Sequence, residues 1–416
     1  MGLLSKKYRE TRGKNDVPEA RTAFAFKTGL DLLDYKNGKL VTVKGGKPYL
    51  SVGVDEGTYI MIVGRSGGGK TALAIQMAAS IVGPYENGEI YHDDVEAATD
   101  MTRIKALTKW SDDRLEDSYI HRNVGVTAEA FYNNVRKIYN LKMEMKDQLM
   151  IKTEKLDSRG NPISIMAPTV CILDSLALLV PEKFSEEEEL GGSMSQTAVA
   201  KANSMIFQRV VPLLKKANII LIAINHINTK IDINPMQRTK AQVNYMKQDE
   251  TIPGGNKPIY TANNIFKVDP GSKLTDDKDY GINGFLNKIT IIKSRSNRAG
   301  QELEVVYDQN TGYDNVYTNF HFLKSEKLIS GAGRGFYLEG AEDVKFAQKD
   351  FRNKLKASKD LRKAFLRLIG GALKQFIYIP TADEMDGGVE EGEEVTEDTA
   401  PKKKTTTATK KTTKKK

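Results

Sequence analysis

Apolar residues fall along this chain in two rhythms. Short unbroken runs, Tyr59–Val63, Thr169–Leu173 and Asn218–Ile224, are rich in β-branched side chains. Such runs predict strands covered on both faces. Other stretches repeat at helical spacing. Thr71–Val82 places Leu73, Met77 and Ile81 on one side, Ala128–Leu141 does so with Phe131, Val135 and Ile138, and Gln196–Lys216 is amphipathic throughout. Glu89–Tyr91 opens a further strand, while Lys288–Ile292 and Leu303–Tyr307 alternate and predict later, antiparallel strands. Buried runs separated by helices predict an α/β fold with a mainly parallel central sheet flanked by helices. Residues 147–167 are polar and broken by Gly160 and Pro162, which predicts an inserted hairpin. Residues 350–379 form a basic helical segment with Leu355, Leu361, Phe365 and Leu368, and predict a small C-terminal subdomain over 331–380.

Composition changes this picture at one end. Residues 381–416 hold almost no apolar side chains. Nine acids fall within 383–398 and eight lysines within 401–416, so this stretch predicts a disordered acidic-then-basic tail. The two blocks nearly cancel (−9 and +8), so of the net charge of +9 on the 416 residues the part before them carries +10 by subtraction. A basic balance favours polyanionic partners, though weakly. Cys171 is the one cysteine, which excludes an internal disulfide and a cysteine zinc site, and the four histidines show no metal-ligand spacing. No apolar run approaches the roughly 20 residues of a membrane span. The N-terminus is basic where a secretion signal turns apolar, so a cytoplasmic protein is expected, in the host cytoplasm if phage-encoded.

The most specific chemistry lies after the first apolar run. Gly64, Arg65, Ser66, Gly67, Gly68, Gly69, Lys70 and Thr71 satisfy the pattern G-x-x-x-x-G-K-[ST] between a strand and a helix. Glycines let successive backbone N–H groups curl round a phosphate, and the helix N-terminus adds a positive dipole end. Lys70 is placed for β- and γ-phosphate oxygens and Thr71 for Mg²⁺, so ATP and Mg²⁺ are the expected cofactors. Asp174 ends the run VCILD at the edge of a sheet where ligands bind, and completes the metal shell, in part through water. Hydrolysis also needs a group that activates water. Asp93, Asp94 and Glu96 all follow the second strand, and spacing does not separate them.

Taken in order, the glycine-rich loop, the acidic end of the second strand, Leu173-Asp174-Ser175 and Ile224-Asn225-His226 resemble the RecA family, and most of all its phage UvsX-type recombinases. The similarity covers about residues 25–380. It implies a RecA-like ATPase core over 41–330, preceded by an oligomerisation arm over 1–40 in which Phe24 and Phe26 are candidate contacts to a neighbouring subunit. It selects Glu96 as the base. It makes His226 the sensor of the γ-phosphate, where bacterial RecA has Gln and UvsX-type proteins have His. The segment Thr251–Tyr260, with Gly254 and Gly255, resembles the end of the family's second DNA-binding loop, which assigns Lys230, Arg238, Lys240, Asn244, Tyr245, Met246 and Lys247 to DNA. Basic side chains there neutralise phosphates, and Tyr245 or Met246 wedges between bases. The first DNA-binding loop falls on 181–195, where Glu186–Glu189 depart from a DNA-facing surface. Residues 291–298 resemble the basic strand that reaches the next subunit's γ-phosphate, through Lys293 and Arg295. The implied activity is a DNA-dependent ATPase that forms helical filaments on single-stranded DNA and pairs it with a homologous duplex. Single-strand-binding and mediator proteins are implied partners, and a membrane is not. Two other functions stay open on these residues: a hexameric RecA-type helicase, which carries a similar K-x-R element, and a nucleotide-stabilised DNA-coating protein.

Overall fold

The computed structural model describes residues 3–11, 21–182, 196–229, 241–275 and 280–379. One compact unit spans Met1–Tyr378. At its centre is a nine-stranded sheet: β1 (Tyr59–Gly64), β2 (Glu89–Asp94), β3 (Tyr119–Arg122), β4 (Thr169–Asp174), β5 (Ile219–His226), β6 (Asn264–Leu274), β7 (Gly284–Ser294), β8 (Gln301–Asp308) and β9 (Gly312–Tyr313). Its order is β9-β8-β7-β6-β1-β5-β4-β2-β3. The six strands from β6 to β3 run parallel, and β7, β8 and β9 continue the sheet antiparallel. The flanking helices that matter here are α1 (Lys70–Val82), α2 (Met101–Thr108), α3 (Ala128–Glu144), α4 (Gln196–Ala217), α5 (Asn315–Ser325) and α6 (Lys359–Leu373).

The unbroken apolar runs have a physical cause in this layering. Successive side chains of a strand face opposite sides. Ile60, Ile62, Ile172, Ile220 and Ile222 join one core, together with α1, α5 and α6. Tyr59, Met61, Val63, Cys171, Leu221 and Ala223 join a second core with α3 and α4. Both faces are covered, so neither set can be polar.

The polar stretch 147–167 contains an antiparallel hairpin, Met150–Leu156 with Pro162–Met166. Segments on either side of the sheet strands, around Phe26 and around Phe351–Phe365, are drawn into the sheet's own core. Phe26 pairs with Val54 and is buried, and the half-buried Phe24 packs against it within the chain. Phe351, Leu361 and Phe365 likewise belong to the core that holds α1, which makes 331–378 part of the same body. The 381–416 tail and most of 181–195 lie outside the described residues. Among the described residues, no helix is long and apolar enough to cross a membrane.

Candidate functional site

Four parallel strands, β1, β2, β4 and β5, end at one edge of the sheet, and the glycine-rich loop joins the first of them to α1. Two glycines are required by contact. A Cβ on Gly64 would lie 2.3 Å from the Val268 carbonyl oxygen, and one on Gly69, at φ +85°, would lie 2.9 Å from the Tyr313 hydroxyl. Helix α1 begins at once with Lys70, so its first N–H groups open onto a cavity of 270 Å³. That cavity is lined by Ser66 to Thr71, Glu96, Thr99, Arg103, Asp174, His226 and Tyr307, among others. The larger 690 Å³ cavity between α1, α5 and α6 is mostly apolar and gathers no comparable set of groups.

Lys70 is buried, and its ammonium donates to the Arg65 carbonyl at 2.9 Å. Burial lowers its pKa, against the pull of Asp174 and Glu96. The Thr71 hydroxyl donates to Asp174 Oδ2 at 2.6 Å. Burial pushes the Asp174 carboxyl up to about 6, with Glu96 and Asp94 adding to the rise and the Thr71 hydrogen bond and Lys70 opposing it. A hydroxyl and a carboxylate, both hard oxygen donors, meet at the loop. This set fits Mg²⁺, which takes one or two protein oxygens and keeps water on its other positions. The next residue, Ser175, is buried and its hydroxyl has no hydrogen-bond partner among the described residues.

The three acids after β2, equivalent by spacing, are separated by their partners. Asp93 is buried and held by Arg122 and Asn134. Asp94 is buried, accepts the Thr99 N–H at 3.0 Å and pairs with His121 at 3.4 Å. Glu96 is the one whose side chain lines the cavity, where Oε1 is 2.9 Å from His226 Nε2. Arg103 was not foreseen. It enters from α2, held by the Asn310 carbonyl at 2.6 Å and the Tyr307 hydroxyl at 3.3 Å. Nothing in the sequence around it marks it, because the strands that hold it come two hundred residues later.

Lys293 and Arg295 do not line this cavity. Lys293 is level with Ile265 and, across β6, with Met61, three residues before the loop. At about 3.3 Å per residue this is roughly 10 Å back along the strands. The Lys293 ammonium donates to the carbonyls of Ile259 and Tyr260, and Arg295, just beyond the end of β7, donates to the same Tyr260 oxygen. Burial and the Arg295 charge lower the Lys293 pKa to about 8.

After β5 the chain makes a short pairing of Asn228–Thr229 with Glu250–Thr251, which closes the base of the polar loop. Lys230, Arg238 and Lys240 lie outside the described residues. Asn244 and Lys247 are exposed, and so is Tyr245, at φ 67°. Met246 is not presented to solvent: its side chain is buried in the second core, because an apolar thioether gains by leaving water. Tyr245 is therefore the exposed candidate of the two. Gly254 and Gly255, at φ +91° and +90°, pass close to Leu176 and Ala200. Asn225, named in the sequence only as the neighbour of His226, donates to the Pro253 carbonyl at 2.8 Å, which ties the strand end to the glycine pair.

Comparison with known protein families found no matching family, and comparison with characterised proteins found no matching sequence.

Proposed function

We propose that this chain is an ATP-dependent DNA strand-exchange protein with a RecA-like core, which polymerises on single-stranded DNA and pairs it with a homologous duplex. One observation carries the reading. Neighbouring residues at the end of β5 face two ways: His226 contacts Glu96 in the cavity, and Asn225 holds the segment Pro253-Gly254-Gly255 at the close of the polar loop. A change at the phosphate end of the cavity thus has a two-bond path to the loop proposed to hold DNA.

In this reading Lys70, the loop N–H groups and the α1 N-terminus hold the triphosphate, while Thr71 and Asp174 hold Mg²⁺. Held there, Mg²⁺ would neutralise phosphate charge. Glu96 Oε1 accepts a proton from the attacking water. His226 exchanges its bond to Glu96 for one to the γ-phosphate, and Asn225 transmits the shift. Lys293 and Arg295 lie away from their own cavity, which suits supply in trans, where cations stabilise charge on the phosphoryl group of the next subunit. Hydrolysis is then coupled to assembly as a helical filament.

The test is strand exchange between circular single-stranded and linear duplex DNA with ATP, ADP or no nucleotide, alongside electron microscopy and a forked-duplex unwinding assay. The proposal expects joint molecules and filaments with ATP alone and no unwinding. Unwinding by closed rings would replace it with the helicase reading. DNA coating without pairing would replace it with a scaffold reading.

A further inference from the structure

Among the described residues, one cluster of potential metal ligands outside the phosphate cavity has unspent capacity. His92 and Asp94 are two residues apart on β2 and so face the same side, and His121 on β3 stands in register with His92. One nitrogen of each imidazole and one carboxylate oxygen lie within 4.8 Å of one another. The linear spacing of the histidines hides this; strand pairing creates it. His92 and Asp94 are fully buried, yet His92 Nε2 and Asp94 Oδ1 have no hydrogen-bond partner among the described residues. Buried polar atoms without partners are rare and call for a cause. His92 Nδ1 is 2.9 Å from the Tyr119 hydroxyl. If Nδ1 carries the proton and donates to that oxygen, Nε2 is left with an outward lone pair, the arrangement in which an outer partner orients a metal-binding imidazole.

We propose that His92, Asp94 and His121 bind one divalent transition-metal ion of the zinc class, with water completing its shell. Two imidazoles and one carboxylate suit Zn²⁺ and disfavour Mg²⁺, which prefers oxygen. Tetrahedral ligand atoms stand about 3.3 Å apart, so the cluster contracts by roughly 1.5 Å at most on loading. His121 supplies that movement and the entry path, since its side chain is the one with solvent access, 10% exposed. Asp94 keeps the Thr99 N–H on its other oxygen. The ion therefore fastens β2 to β3 and to the turn that carries Glu96. The site is distinct from the all-oxygen pair Thr71–Asp174 and does not depend on the nucleotide reading.

The experiment is Zn²⁺ titration of the full-length, chelator-stripped chain without nucleotide, followed by calorimetry, with Mg²⁺ in excess to occupy oxygen sites. One tight equivalent is expected. His121→Ala and His92→Gln should each weaken it at least about 100-fold, and Tyr119→Phe, which keeps the ring packing, about 10–100-fold. Thr71→Ala should leave it unchanged. Far-UV circular dichroism checks folding, and His121→Ala, at the least buried ligand, together with Tyr119→Phe keeps the test decisive if His92→Gln does not fold. The proposal is overturned by no stoichiometric uptake, by uptake that survives His121→Ala and Tyr119→Phe unchanged, or by uptake that Thr71→Ala abolishes.

Discussion

Replacing Asp174 by Asn should stabilise the protein in the absence of metal while weakening its response to Mg²⁺ with nucleotide. Asp174 is buried beside Glu96 and Asp94, and its carboxyl is raised from 3.8 to about 6. A group whose pKa is higher in the fold than in the unfolded chain favours folding when protonated. That advantage is complete below about 4 and is lost as pH rises through the folded value near 6. Above 6 the native state carries a buried charge that the unfolded chain carries in water. The difference is worth about 3 kcal/mol at pH 7.5 and about 1.5 kcal/mol at pH 5. Asn keeps the shape and can still accept from Thr71, at a cost of about 1 kcal/mol for the weaker hydrogen bond. The net gain for Asp174→Asn is then about 2 kcal/mol at pH 7.5, and close to nothing at pH 5. Urea unfolding midpoints of both proteins, in chelator, at the two pH values measure it. Adding Mg²⁺ and nucleotide should raise the wild-type midpoint more than the variant's, since on the proposed reading Asp174 helps to hold the metal while the phosphate cradle is common to both. A variant no more stable than wild type at pH 7.5, or one whose gain grows towards acid, would refute the reasoning.

Glu96→Gln should reduce ATP turnover by at least about 100-fold while sparing ATP-dependent DNA binding, because it removes a proton acceptor and leaves the phosphate cradle; equal losses of both in filter-binding and phosphate-release assays would count against that role. Lys70→Ala and the double variant Lys293→Ala, Arg295→Ala should each be inactive alone, yet mixed filaments should recover part of the ATPase activity, because one subunit keeps the cations proposed to act on its neighbour and the other keeps the cradle. A mixture as inactive as its parts would rule out supply in trans. Phe207→Ala should cost about 3–5 kcal/mol in denaturant unfolding, because the ring is fully buried against Tyr59 at 4.9 Å and leaves a cavity between α4 and β1. A loss below about 1 kcal/mol would mean that the neighbours collapse into the space.

The α/β class, the strands β1, β4 and β5, the helices between them and the loop from Gly64 to Thr71 were legible from local pattern. Each rests on forces that act within a few residues or on simple two-sided burial: alternation, helical spacing, glycine's conformational freedom and the dipole at a helix start. The same is true of the hairpin within 147–167. Other decisions needed the packed molecule. Asp93, Asp94 and Glu96 have the same chemistry and nearly the same position, and only their partners, Arg122, His121 and His226, separate them. Met246 and Tyr245 are adjacent and both plausible against a base, but the fold buries one and exposes the other. Arg103, the contact of Asn225 with Pro253 and the grouping of His92 with His121 have no local signature, because the groups that give them meaning arrive from distant segments. Periodicity along one dimension encodes which side of an element is dry. Charge state, ligand geometry and reach depend on what stands opposite in space, and that is set by strand order and helix packing.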